Sequence, residues 1–128
     1  MHGHTREFSD LSHVVIGSAI EVHRVLGPGL LESTYRRALQ HELALQGVRV
    51  LSEQSVALCY KGLRIEGAFR IDLLVEDQII VEIKSVTAFS EAHRAQLLTY
   101  LRLAGLKTGF LMNFTQPRLV DGLVSFTL

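Results

Sequence analysis

Phe69-Arg-Ile-Asp-Leu-Leu-Val-Glu-Asp-Gln-Ile-Ile-Val-Glu-Ile-Lys84 reads as the two arms and the turn of a β-hairpin. Two largely apolar runs, Ile71–Val75 and Ile79–Ile83, flank a polar break at Glu76-Asp77-Gln78. Branched residues in runs of this length, split by turn formers, are the signature of paired strands. Asp72, Glu82 and Lys84 interrupt the apolar pattern. Charge placed inside buried strands costs several kcal/mol unless it is paired or metal-bound, so a sequence that does this three times points to a use for it.

The register determines what that use is. If the turn is a three-residue loop, Glu76 to Gln78, Asp72 sits directly across from Glu82 on one face, with Cβ atoms roughly 4.5–5.5 Å apart. Glu82 and Lys84, two apart on one strand, share that face. A two- or four-residue loop would instead send the two acids to opposite faces. Adjacent carboxylates repel, and a divalent cation relieves the repulsion; an all-oxygen ligand set favours Mg²⁺, Mn²⁺ or Ca²⁺ over zinc.

Composition narrows the class. The 128 residues suit one domain, and the 48% apolar content suits a folded globular one. No apolar run approaches the ~20 residues of a membrane span. The opening Met-His-Gly-His-Thr-Arg lacks an apolar signal segment, which predicts a cytoplasmic protein. A single Cys59 excludes an internal disulfide and a cysteine zinc cluster. With 13 basic and 13 acidic residues the formal charge is zero, which argues against nonspecific nucleic-acid binding by the whole surface but leaves room for a local basic rim.

Residues 1–8 read as a loose leader and 9–128 as the domain. Ser9 is the expected N-cap of a first helix whose apolar positions, Leu11 to Leu26, follow helical spacing. Gly27-Pro28-Gly29 makes a corner. A second helix is expected from about Leu30 to Gln46, burying Leu31, Ala38, Leu39, Leu45 and also Leu43. Short strands follow at Val48–Leu51, Ser55–Tyr60 and Leu63–Ile65, and then the hairpin. Ser90 caps a third helix over Glu91–Ala104, closed by Gly105. Lys107–Asn113 reads as a buried strand, parallel to the second hairpin arm through a crossover, and Leu123–Leu128 as an edge strand open to pairing in a homodimer. The order α-α-β-β-β-β-α-β-β packs as one α/β domain, a mixed central sheet flanked by helices.

Asp72, nine residues, then Glu82-Ile83-Lys84 resembles the core of the PD-(D/E)xK nuclease superfamily. Gly29-Leu-Leu-Glu32-Ser-Thr-Tyr35 fits the signature of the small bacterial GxxExxY proteins, placed in that superfamily. Ala19-Ile-Glu-Val-His23, Leu26-Gly-Pro-Gly29 and Gln96-Leu-Leu-Thr-Tyr100 extend the likeness from about Leu11 to Phe114. The resemblance implies a restriction-endonuclease-like fold, Mg²⁺ or Mn²⁺ as cofactor, and nucleic acid as partner. It makes Asp72, Glu82 and the Ile83 carbonyl metal ligands, with Glu32 as an outer metal ligand or water-binding carboxylate. Lys84 would activate the attacking water or stabilise the transition state. Gln96 and Tyr100 share a helix face and would line the site. Tyr35 is read as half-buried, its hydroxyl reaching Glu32 or a phosphate. Arg70, alternating onto the face of Asp72, would pair with a site carboxylate or meet substrate.

The remaining charges have plainer readings. His13, His23 and His41 lack ligand spacing and read as structural or exposed, His93 as a solvated helix residue, and His2 and His4 as adventitious metal binders at most. Lys61, Arg64, Arg94 and Arg102 are candidates for a modest basic rim. The pattern implies a metal-dependent nuclease acting on DNA or RNA. The rival reading is a nuclease-fold module that holds nucleic acid or a protein partner without turnover, favoured by small size and zero net charge.

Overall fold

The computed structural model describes residues 3–128, and side chains from Asp10 onward. Two helices come first, α1 (Gly3–Leu26) and α2 (Glu32–Leu45), followed by β1 (Val50–Tyr60), β2 (Leu63–Val75) and β3 (Ile79–Lys84). Then come α3 (Glu91–Ala104), β4 (Thr108–Asn113), a 3₁₀ turn (Leu119–Gly122) and β5 (Leu123–Thr127). The five strands lie side by side in chain order. Neighbours are antiparallel except β3 and β4, which run parallel with α3 as their connection. The sheet is therefore mixed, as expected, with strands β3 and β4 buried along nearly their whole length.

Two apolar clusters hold the layers together. On one face Val15, Ala19 and Val22 of α1 and Tyr35, Leu39 and Leu43 of α2 pack on inward residues of β2, β3 and β4. On the other, Leu97 and Leu101 of α3 cover Phe69, Ile71, Ile80 and Leu111. Within α2 the buried residues recur every four positions, one stripe of a helix. Leu31 and Leu45, expected in the core, fall off that stripe and are 74% and 67% exposed. Leu31 occupies the N-cap position, and Leu45 follows Leu43 by two residues, more than half a turn away.

Three boundaries differ from the sequence reading. The first helix starts at Gly3, so Ser9 lies inside it and the expected leader is helical from Gly3 on. No proline precedes Pro28 to stop a helix in that region. Met1 and His2 lie outside the described residues, as does the His4 side chain. Downstream, the polar positions read as breaks are irregularities inside two long strands. Glu53 takes a left-handed φ of 53° within β1, and Gly67 one of 58° within β2, where the β1–β2 register shifts between Val56 and Leu58. Left-handed residues and bulges bend a strand without ending it, so the five expected fragments merge into three strands before α3, where the expected element order had four.

The 3₁₀ turn fixes the end of β4. A Cβ on Gly122 would lie 2.4 Å from the Asn113 carbonyl oxygen and 2.9 Å from Gln116 Cγ. The first contact is backbone and cannot swing aside, so Gly122→Ala should destabilise by about 1–3 kcal/mol, the usual range for overpacking. Thermal denaturation checks this, and an unchanged midpoint would contradict the contact.

Candidate functional site

The hairpin loop has the length on which the site depends. Val75 pairs with Ile79, leaving 76–78 as the loop, and the Gln78 N–H donates to the Val75 carbonyl at 2.9 Å. Glu76 and Asp77 both take positive φ, 52° and 54°, as the hairpin-compatible turn of this hand requires. The ladder runs to Leu73–Val81, and the next step in that register sets Asp72 opposite Glu82.

At that step the carboxylates take over the ladder. The Asp72 N–H donates to Glu82 Oε2, and the Ile83 N–H donates to Asp72 Oδ2, each at 2.9 Å. Each acid thus receives a backbone N–H from the opposite strand, and its second oxygen is outside these bonds. Glu82 is only 3% exposed. Burial, and then the neighbouring Asp72 charge, push its carboxyl up to about 8, against the opposing pull of the Asp72 N–H, Lys84 and Arg70. Burial likewise raises Asp72, opposed by the Ile83 N–H, Lys84, Arg36 and Arg70. Two desolvated acids side by side resist losing both protons, and a cation between them would remove that resistance.

The other expected residues fall into two groups. Lys84 is half-buried and acts on both carboxylates through space, and its carbonyl accepts from the Phe114 N–H at 3.2 Å. Tyr100 stacks on Phe69 at 4.6 Å, and its hydroxyl is raised by burial and by the charges of Glu82 and Asp72. Gln96 is half-exposed one turn earlier on α3. Glu32, the first residue of α2, accepts the Ser85 N–H at 2.8 Å and so ties the helix start to the residue after Lys84. It stands apart from the acid pair: among the described residues no three His, Cys, Asp or Glu side chains gather closely enough to hold a metal.

Two expectations need correcting. Tyr35 is fully buried, not half-buried, and its hydroxyl reaches neither Glu32 nor the surface. It donates to the Gly27 carbonyl at 2.5 Å, accepts the Leu30 N–H at 3.0 Å, and its ring stacks on Phe114 at 4.4 Å. Its place in the motif is to lock the corner that delivers Glu32. Arg70 forms its ion pair with Glu53 at 2.8 Å, not with a site acid, because β1 kinks at Glu53, the residue opposite Asp72 in the β1–β2 register.

His93 completes a capping box with Ser90, so its ring serves the helix. His23 is buried and hydrogen-bonds the Gln116 carbonyl at 2.8 Å, while His13 and His41 are exposed. Of the basic rim, Lys61 lies 5.4 Å from the Tyr60 ring and Arg64 pairs with Glu66, both at the β1–β2 turn; Arg94 is half-exposed and Arg102 exposed.

Three residues near the site escaped the sequence reading. Asn113, 1% exposed, accepts the Val86 and Thr115 N–H groups and donates to the Val86 carbonyl at 2.7 Å. It holds the segment just beyond Lys84. An amide ending an apolar strand was the available signal. Arg36 and Glu53 form an ion pair with each other, and nothing in their spacing marks them.

The acid pair fits a hard cation. Both donors are carboxylates with an uncommitted oxygen, and Mg²⁺ is commonly held by one or two carboxylates together with water and substrate phosphate. A family model for the PD-(D/E)XK nuclease superfamily matches residues 9–124. The chain belongs to that superfamily. PD-(D/E)XK nucleases generally use divalent metals, and the superfamily implies nucleic-acid binding. No curated protein matches the chain. Among solved structures, the crystal structure of SSO0001 is similar with a TM-score of 0.58 and 18% identity, covering 91% of this chain. The chain spans 60% of the length of that one, and the likeness is one of fold. Among the described residues of this PD-(D/E)XK protein, no helix is long and apolar enough to cross a membrane.

Proposed function

We propose that the protein is a metal-dependent nuclease that hydrolyses phosphodiester bonds in DNA or RNA, with Mg²⁺ or Mn²⁺ as cofactor. The observation that carries this reading is the reciprocal seating of Asp72 and Glu82 across the hairpin, with Lys84 two residues further along β3. Asp72 and Glu82 would hold the ion through their free oxygens, the Ile83 carbonyl adding a third ligand. When bound, the ion supplies Lewis-acid polarisation of the phosphate and a lowered pKa for water. Lys84 would orient the attacking water and offset the negative charge on the oxygens of the pentavalent transition state. Glu32, fixed through one oxygen to Ser85, keeps the other for an outer water. Gln96 and Tyr100 would line the approach from α3.

The GxxExxY motif supports placing the chain with the proteins of that name. Its residues here form a working unit, in which Tyr35 braces the corner and Glu32 docks on the strand end. The exposed free thiol of Cys59 suits a reducing, cytoplasmic setting. Edge strand β5 offers the surface for a homodimer.

Purified protein incubated with Mg²⁺ or Mn²⁺ and single- or double-stranded DNA or RNA should cleave at least one of them. Asp72→Ala and Lys84→Ala should not. Cleavage that persists in both variants belongs to a contaminant and overturns the assignment. Binding without turnover in any metal would favour a nuclease-fold binding module.

A further inference from the structure

A second charged cluster beside the acid pair has no part in holding a metal. Glu53 of β1 receives two guanidinium groups from different elements. Arg36 Nη2 of α2 lies 3.1 Å from its Oε1, and Arg70 Nη1 of β2 lies 2.8 Å from its Oε2. The cluster carries one net positive charge. Arg36 is unusually deep for an arginine, with its side chain 16% exposed, and its Nε–H is buried without a partner among the described residues. Glu53 itself holds φ at 53° in mid-strand, a conformation few residues with a Cβ adopt.

A plain stabilising role accounts poorly for this arrangement. Half-exposed ion pairs contribute little, and an unmet buried N–H works against the fold. Backbone outliers of this kind concentrate where ligands are held. Position adds to the argument. Both arginines act electrostatically on Asp72, and Arg70 also on Glu82, so the cluster borders the acid pair on its β1 side. Two guanidiniums converging on two oxygens of one anion also describe how arginines grip a phosphate through its non-bridging oxygens.

We propose that Arg36 and Arg70 form a clamp for a backbone phosphate of a nucleic-acid strand, with Glu53 as the resident anion that keeps the two guanidiniums convergent until the phosphate displaces it. The substrate class rests on the nuclease reading. On binding, the Arg36–Glu53 and Arg70–Glu53 pairs exchange for arginine–phosphate pairs, Arg36 gains a use for its idle Nε–H, and the strand is fixed beside the scissile position.

The test is titration of a fluorescent single-stranded or duplex oligonucleotide into the full chain at several salt concentrations, with EDTA present so that nothing turns over. Arg36→Gln and Arg70→Gln should each weaken binding roughly tenfold, the scale of losing a charge-assisted contact. Each should also lower the slope of log K against log salt by about one. Glu53→Gln, which removes the competing anion, should bind more tightly than wild type. Arginine variants with wild-type affinity and slope overturn the clamp. So does a Glu53→Gln variant that binds more weakly and melts earlier, because the cluster is then only a brace, and so does a wild type that binds no oligonucleotide. Should Arg36→Gln fail to fold, Arg70→Gln, whose side chain is 59% exposed, carries the test alone. The two readings fail separately. Metal-dependent cleavage with no loss of slope in the arginine variants sinks the clamp and keeps the nuclease, whereas arginine-dependent binding without cleavage in any metal does the reverse.

Discussion

Glu82→Gln is expected to abolish metal-dependent cleavage and, in the same molecule, to stabilise the metal-free fold at alkaline pH. The activity loss should be at least roughly 100-fold, the scale seen when one preorganised electrostatic group is removed from a site. The stability gain follows from linkage. Glu82 is raised from about 4.5 to about 8, mainly by burial, so the folded chain keeps a proton that the unfolded chain releases. A group shifted in this direction contributes its stability in full below the unfolded value, and loses it as pH rises through the folded one. Asp72 is raised as well, and the two titrate as a pair. The wild-type melting temperature should therefore fall between about pH 5 and pH 8 relative to Glu82→Gln, since glutamine has no proton to lose. Glutamine can still accept the Asp72 N–H through its carbonyl oxygen, so the hairpin stays closed.

Metal separates the two proteins in the opposite direction. A cation that binds the ionised pair stabilises the fold in proportion to RT ln(1 + [L]/Kd), about 2.7 kcal/mol at a hundredfold excess over Kd. Mg²⁺ should raise the wild-type melting temperature more at pH 8 than at pH 6, because less proton has to be displaced, and should barely move the variant. Melting curves with and without Mg²⁺ at these two pH values are sufficient. A variant that still cleaves, or a wild type that gains stability over the variant as pH rises, would be incompatible with a buried ligand pair.

The hairpin, the helix order and the parallel crossover were legible because local rules govern them. The loop length follows from three polar residues between branched runs, and once the loop is three residues long the pairing of Asp72 with Glu82 is forced. Ser90 and Gly105 mark the ends of α3 by cap chemistry. What sequence could not supply was long-range partnership. Arg70 alternates correctly from Asp72 on an ideal strand, yet the left-handed Glu53 across from Asp72 bends the ladder and claims the Arg70 guanidinium. The motif marks Glu32 as an acid near the site, but its tie to the Ser85 N–H spans 53 residues and is set by the fold alone. Polar positions such as Glu53 look like loops when apolarity is the only guide, because a kink inside a strand and a break between strands share one composition.

Tyr35 offers the sharpest separation of motif from mechanism. A tyrosine three residues after a site glutamate invites a phosphate-contacting role, but this hydroxyl is spent on the Gly27 carbonyl and the Leu30 N–H. Tyr35→Phe leaves both groups without that partner in a part-buried corner, a loss of about 1–3 kcal/mol. Tyr35→Ala removes the ring from its stack on Phe114 as well, and should cost about 3–5 kcal/mol, as aromatic truncations in cores do. Against a total of about 5–15 kcal/mol for a domain, the alanine variant would be close to unfolding. The phenylalanine variant is the informative one: held below its lowered melting temperature, it should turn over substrate with kcat and KM near wild type. A hydroxyl that touched the substrate would give the reverse, a normal melting temperature with a raised KM or a reduced kcat. The stability cost appears in melting experiments and the kinetic cost in turnover, so one variant measured both ways shows whether the last residue of the motif serves the corner or the chemistry.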